Sequence, residues 1–172
     1  TAIAALLFTV PLTTFRPFQP DPIDPDPIVE FLAKDDHDDW RYLALGFGDR
    51  MAQLSARTTA TTVDGNYHSA RRLPALTTRA VERLEGAKFR GVPGLGSLQQ
   101  FLVTPEPTHL KYVLSADRFY DPLLHFTGWQ PIGVLENGVE VWERPDVPPL
   151  PEVLPVRELP AWQRLHWGVV PP

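Results

Sequence analysis

The segment Thr62-Val-Asp-Gly-Asn-Tyr-His-Ser-Ala-Arg-Arg72 gathers more polar, chemically versatile side chains than any other stretch of the chain. Asp64-Gly65 is a turn pair, and Asn66, Tyr67, His68, Arg71 and Arg72 crowd behind it. An Asp and a His within reach of each other can work as an acid–base pair, and two arginines can clamp an anion. The same residues would also suit a surface loop in which Asp64 caps a helix and the arginines pair locally. As ligand contacts, Arg71 and Arg72 would serve a phosphate, Asp64 and Asn66 sugar hydroxyls, and Tyr67 a sugar face, with His68 beside them.

Two further groups invite a chemical reading. Asp35-Asp-His-Asp-Asp39 sets four carboxylates around His37, and hard cations favour clustered oxygens. Consecutive residues seldom converge on one ion, however, so a solvated acidic loop is the expectation. Asp117, Tyr120, Asp121 and His125 share one short element, with Asp121 and His125 at i, i+4 on one helical face. That pair could polarise a hydroxyl or simply decorate a helix surface. The five histidines (37, 68, 109, 125 and 166) lie in five different elements, and no His-x-His, His-Glu-x-x-His, Gly-x-Ser-x-Gly or Walker sequence occurs. The absence of cysteine excludes a thiol nucleophile, a cysteine-ligated zinc and any disulfide. No catalytic residue, metal site or cofactor is therefore assigned. A free-standing hydrolase would need His68 or His125 to meet a carboxylate in a cleft.

The elements that must position these groups can be read from local pattern. Asp26-Pro27 opens a short helix with Ile28, Phe31 and Leu32 on one face, Asp26 as its cap. Trp40 to Phe47 reads as a strand with Leu43, Leu45 and Phe47 on one side. Thr77 or Thr78 can cap a helix running through Gly86, and Arg90-Gly-Val-Pro-Gly-Leu-Gly96 reads as a loop. Leu95, Leu98, Phe101 and Leu102 then mark an amphipathic helix ended by Pro105, and Leu110 to Ser115 a second strand. Asp117 can cap a helix through Thr127 that carries Phe119, Leu123, Leu124 and Phe126. Asn137-Gly138, flanked by Trp129–Glu136 and Val139–Arg144, predicts a β-hairpin with a type I′ turn. The sum is an α/β or α+β single layered domain. Its mixed sheet has about four strands, including the C-terminal hairpin, packed with three or four helices.

Proline marks off this domain. Of 20 prolines among 172 residues, six fall in 11–27 and eight in 145–172, leaving six for everything between. Residues 1–14 begin with ten apolar or small residues, enough for half a bilayer as a helix. They suit the last turns of a transmembrane helix, with a buried helix or the remnant of a signal peptide as alternatives. Residues 15–27 alternate Asp and Pro as a stiff spacer, 28–146 form the globular domain, and 147–172 form a Pro-rich return. In that return, Trp162 and Trp167 beside Arg164 and His166 suit a membrane interface or a tail packed on the domain. The net charge of −5 and the lack of a basic stripe argue against nucleic acid as a partner.

From Trp40 to Pro151 the chain resembles the polytopic membrane proteins called "6-pyruvoyl-tetrahydropterin synthase related", which are similar to membrane-embedded glycosyltransferases of the GT-C type. The resembling stretches are Trp40–Asp49, Thr62–Pro74, Leu110–Ser115 and Val139–Arg144. The layout of two strands and a late hairpin is also similar to the outer domains of YfhO-type proteins. The resemblance implies an extracytoplasmic domain held at the cell membrane between transmembrane helices. Its partners would be the membrane and a lipid-linked sugar or acceptor glycan. The catalytic acid of GT-C enzymes belongs to an early loop of the membrane part, so the resemblance carries no catalytic residue onto this chain. Pterin chemistry would need a His-x-His zinc site, which is missing. The expectation is a non-catalytic domain that helps bind or position the glycan; the alternative is a scaffold or protein-interaction domain with no ligand of its own.

Overall fold

In the computed structural model, residues 23–48, 51–64 and 84–151 are described. The apolar stretch 1–14, most of the Asp/Pro spacer, Asn66, Tyr67, His68, Arg71 and Arg72, the expected cap at Thr77 or Thr78, and Trp162 and Trp167 lie outside the described residues. In chain order the elements are α1 (Asp26–Ala33), β1 (Arg41–Leu45), α2 (Met51–Ser55), a 3₁₀ segment (Leu84–Arg90), α3 (Gly91–Val103), β2 (Leu110–Ser115), α4 (Asp121–Phe126), β3 (Gln130–Val134) and β4 (Glu140–Glu143). Short 3₁₀ turns cover His37–Asp39, Glu106–Thr108 and Arg118–Tyr120.

The strands form one mixed sheet in the order β1-β2-β4-β3. β1 and β2 are parallel, with Leu43 opposite Val113 and Leu45 opposite Ser115; β4 runs antiparallel to both β2 and β3. A parallel pair is stable when both faces are covered, and its strands then carry apolar residues on both sides. That holds here: Tyr42, Leu43, Ala44 and Leu45 are all fully buried. On one face Leu43, Leu45 and Val113 pack with Leu98, Phe101 and Leu102 of α3, Leu124 of α4, Trp129 and Trp142. On the other, Tyr42, Ala44, Tyr112, Leu114 and Val141 pack with Ile28 and Leu32 of α1 and Leu54 of α2. Thr62 adds a parallel bridge to Tyr42 on the free edge of β1.

Four local expectations change. Phe47 joins the core face of Tyr42 and Ala44 rather than that of Leu43 and Leu45, because Gly46 at φ +86° breaks the strand's alternation. The run Gly91–Gly96 is helical, not a loop: α3 starts at Gly91. Of its glycines, Gly94 serves packing, since a Cβ there would meet the Ala87 carbonyl oxygen at 2.3 Å. At α1, Pro25 holds the capping position and the Asp24 carboxylate accepts the Asp26 N–H at 3.0 Å. After Asp117 the chain makes a 3₁₀ turn before α4, leaving Phe119 and Phe126 exposed and only Leu124 of α4 buried.

The hairpin is present but its turn differs from type I′. The Leu135 N–H donates to the Val139 oxygen and the Gly138 N–H to the Leu135 oxygen, both at 2.8 Å. Gly138 takes φ +80°, whereas Asn137 is not among the positive-φ residues. This is the three-residue loop with one left-handed glycine. Asn137 contributes its side chain instead, donating to the Asp24 carbonyl at 2.6 Å and accepting from the Val139 N–H at 3.1 Å.

These bonds fix where the described chain enters and leaves the domain. Asp24 is tied to the hairpin loop, at the carboxyl end of β2. Residues 147–150 are tied beside the amino ends of β1 and β2: the Val147 oxygen accepts Trp40 Nε1–H at 3.0 Å and the Leu150 N–H reaches the Asp39 oxygen at 2.7 Å.

Candidate functional site

The carboxyl ends of β1 and β2 bring the polar groups together. In sheets with parallel strands this end collects loops that the pleated core does not constrain, and ligands favour it. Gly46 lets the loop after β1 approach the loop after β2: a Cβ there would stand 2.6 Å from Asp117 Cβ. Asp117 is held on two sides. It accepts the Phe119 N–H at 3.0 Å, capping the 3₁₀ turn, and it forms an ion pair with Lys88. Burial alone would raise its carboxyl, but the Lys88 hydrogen bond, the Phe119 N–H and the Lys88 charge together leave it below the ordinary range.

Asp64 anchors the same end. It is fully buried, and its Oδ2 accepts the Glu85 N–H at 3.2 Å. The chain thus leaves the described structure at Asp64 and re-enters it at Leu84, with the two ends joined by a hydrogen bond. Glu85 continues the network: its carboxylate accepts the Gly48 N–H and its carbonyl the Tyr120 hydroxyl, the latter at 2.8 Å. Burial pushes the Tyr120 phenol well above its ordinary range, so it stays a neutral donor.

Beside Asp117 opens a cleft of about 250 Å³ between the 115–121 loop and the hairpin, lined by Ser115, Asp117, Arg118, Asp121, Gly138 and Glu140 among others. It offers a hydroxyl, carboxylates and a guanidinium around a hairpin glycine. One oxygen of Asp121, Oδ1, is buried with no hydrogen-bond partner among the described residues. Burial raises the Asp121 carboxyl; Arg118 and His125 oppose the shift and Asp117 adds to it. Such a cleft suits a polar, hydroxyl-rich ligand, since carboxylates and a guanidinium supply acceptors and donors in one place.

Of the six residues singled out in the sequence, the described structure contains only Asp64, at the root of this end. The Asp121/His125 pair shows no hydrogen bond between its members among the described residues. Instead, the His125 ring stands edge-on to Trp142 at 4.7 Å. In the acidic loop, His37 Nδ1 hydrogen-bonds the Phe31 oxygen at 2.7 Å and Asp38 accepts from Thr59 at 2.9 Å. Among the described residues no group of three His, Asp or Glu side chains could hold a metal ion. Sequence reading missed Ser115, Arg118 and Glu140. The available signal was the position of 115–118 immediately after a strand with a parallel neighbour. No protein family, curated protein or solved structure matches this chain.

Proposed function

We propose that the chain is a non-catalytic extracytoplasmic domain of a polytopic, GT-C-like membrane protein, and that it positions a lipid-linked sugar or an acceptor glycan at the polar end of its sheet. The observation that carries this reading is the hydrogen bond between Asp64 and Glu85. It ties Asp64 to the start of the 84–90 segment at the end of the sheet that also holds the Ser115–Glu140 cleft. Carboxylate and hydroxyl groups in the cleft match sugar hydroxyls, and Arg71 and Arg72 supply the charge a phosphate needs. No helix among the described residues is long and apolar enough to cross a membrane, so the spanning helices of this reading belong elsewhere.

Titration of the 172-residue chain with a short-chain polyprenyl-phosphate sugar, followed by NMR or calorimetry, tests the reading. Saturable binding, weakened in Asp121→Asn and in Arg71→Ala, supports it. No binding, or binding indifferent to both substitutions, refutes it. The alternative, a scaffold for protein contacts, draws on β3, which is exposed along its whole length and presents Ile132 and Val134.

A further inference from the structure

A second feature lies next to the cleft and shares Arg118 with it. Phe89 and Phe119 are 73% and 52% exposed, and Val92, three residues after Phe89, is 84% exposed. The two rings flank one ammonium group: Lys88 Nζ lies 5.1 Å from the Phe89 ring centre and 5.8 Å from that of Phe119. Exposed apolar residues this large are normal singly, but two phenyl rings around one ammonium, with Val92 three residues along the chain from Phe89, form a patch. The charges beside them are basic. Arg90 follows Phe89 and Arg118 precedes Phe119, both exposed, and neither makes an ion pair with a carboxylate among the described residues. The nearby acids are recessed: Asp117 is engaged by Lys88 with its side chain 24% exposed, and Asp121 buries Oδ1. What projects is apolar and cationic, on a chain whose net charge is −5.

We infer that the face made by Phe89, Val92, Phe119, Arg90 and Arg118 seats on an anionic lipid surface. Aromatic rings with adjacent long cations fit the headgroup layer, where the ring enters the acyl boundary and the cation meets lipid phosphate. Asp24 is bonded to the hairpin loop at this same end of the sheet, and the sequence that precedes it starts with ten apolar or small residues. The cleft would then open beside the headgroups rather than into bulk solvent. The inference does not rest on glycan binding: the surface could seat on lipid with the cleft empty, and the sugar titration reads the cleft alone.

The chain has no cysteine, so one introduced thiol reports from one place. An environment-sensitive dye is attached in Val92→Cys and, as a remote control, in Ile132→Cys on β3. Each protein is mixed with phosphatidylcholine vesicles with and without phosphatidylglycerol. The expected result is a blue shift at position 92 with the anionic vesicles, little change at 132, and weakening of the shift by salt. Arg90→Glu with Arg118→Glu should lower partitioning at least about tenfold, taking the surface attraction of each cation as the guide. Phe89→Ser with Phe119→Ser should lower it about tenfold as well. Circular dichroism checks that the variants remain folded, which is expected for four exposed positions. The inference is overturned by no shift at 92 or by equal shifts at 92 and 132, as insertion of residues 1–14 alone would give. A shift that survives both double substitutions also overturns it, as does protection of the patch by a protein partner instead of lipid.

Discussion

Gly94 and Gly96 sit two residues apart in α3 and face opposite demands, so alanine at each should change stability with opposite sign. Intrinsic helix propensity favours alanine over glycine by about 1 kcal/mol at either position. At Gly96 nothing lies within 4 Å of the added Cβ, so the gain is realised: about 0.8–1 kcal/mol of stabilisation. At Gly94 the Cβ would meet the Ala87 carbonyl oxygen at 2.3 Å and Arg90 Cβ at 2.7 Å, well inside ordinary contact. The first of these is backbone, which cannot rotate away. Overpacking of this kind costs about 1–3 kcal/mol, and after the propensity gain the net is a loss of up to about 2 kcal/mol. The two variants should therefore differ by about 1–3 kcal/mol, or about 2–12 °C in melting temperature for a chain of this size. Urea unfolding followed through the buried Trp129 and Trp142 measures both. Stabilisation by Gly94→Ala, or equal effects at the two sites, would show that α3 does not pack against the 84–90 segment as described.

Asp117 and Asp121 should move the acid limb of stability in opposite directions. The Asp117 carboxyl is depressed, so its contribution is complete above the ordinary Asp range and is lost as pH falls through its folded value; Asp117→Asn should flatten the acid loss seen by urea titration between neutral pH and about pH 3. Asp121 is raised, so it favours folding below the ordinary Asp range and loses that contribution as pH rises through its folded value; Asp121→Asn should steepen the same limb. Trp129 Nε1–H donates to the Leu102 carbonyl at 3.1 Å, while Trp142 Nε1 is buried without a partner among the described residues. Trp129→Phe should accordingly be more destabilising than Trp142→Phe by about 1 kcal/mol in chemical unfolding. Asn137→Ala removes the bonds to Asp24 and Val139 and should cost about 1 kcal/mol, with faster amide exchange at Val139 as the local readout.

The strands were the most legible part of this fold. Tyr42 to Leu45 and Tyr112 to Leu114 are continuous apolar runs, the first preceded by Arg41 and the second flanked by Lys111 and Ser115, a pattern that suits strands covered on both faces. The amphipathic half of α3 and the hairpin were equally plain, because Leu98, Phe101 and Leu102 repeat at helical spacing and Asn-Gly favours reversal. The start of α3 was not legible. Glycine at 91, 94 and 96 argues locally for a loop, and only the close approach of Ala87 makes the missing Cβ at Gly94 an advantage.

The candidate site divides along the same line. Asp64 was visible as the centre of a polar run, but not as a buried carboxylate receiving the Glu85 N–H from across a gap of 21 residues. Ser115, Arg118 and Glu140 attract no notice in the sequence because they carry no motif. They become one cleft only because β4 pairs with β2, setting Glu140 opposite Ser115. The exposure of Phe119 was equally hidden. The sequence groups it with Leu123, Leu124 and Phe126 on one helix, and the 3₁₀ turn capped by Asp117 separates it from α4 and leaves it exposed.

Sequence alone determined the elements that depend on neighbours along the chain: period-two and period-3.6 apolar spacing, turn residues, the crowding of proline at both flanks, and the chemistry that no cysteine or motif supports. Tertiary structure alone decided which polar groups meet, which glycines are tight and which aromatic rings reach solvent. The reason is that local pattern fixes backbone conformation through interactions a few residues long. Burial, ion pairing and clefts arise from strand pairings and loop approaches between residues that are distant in the chain.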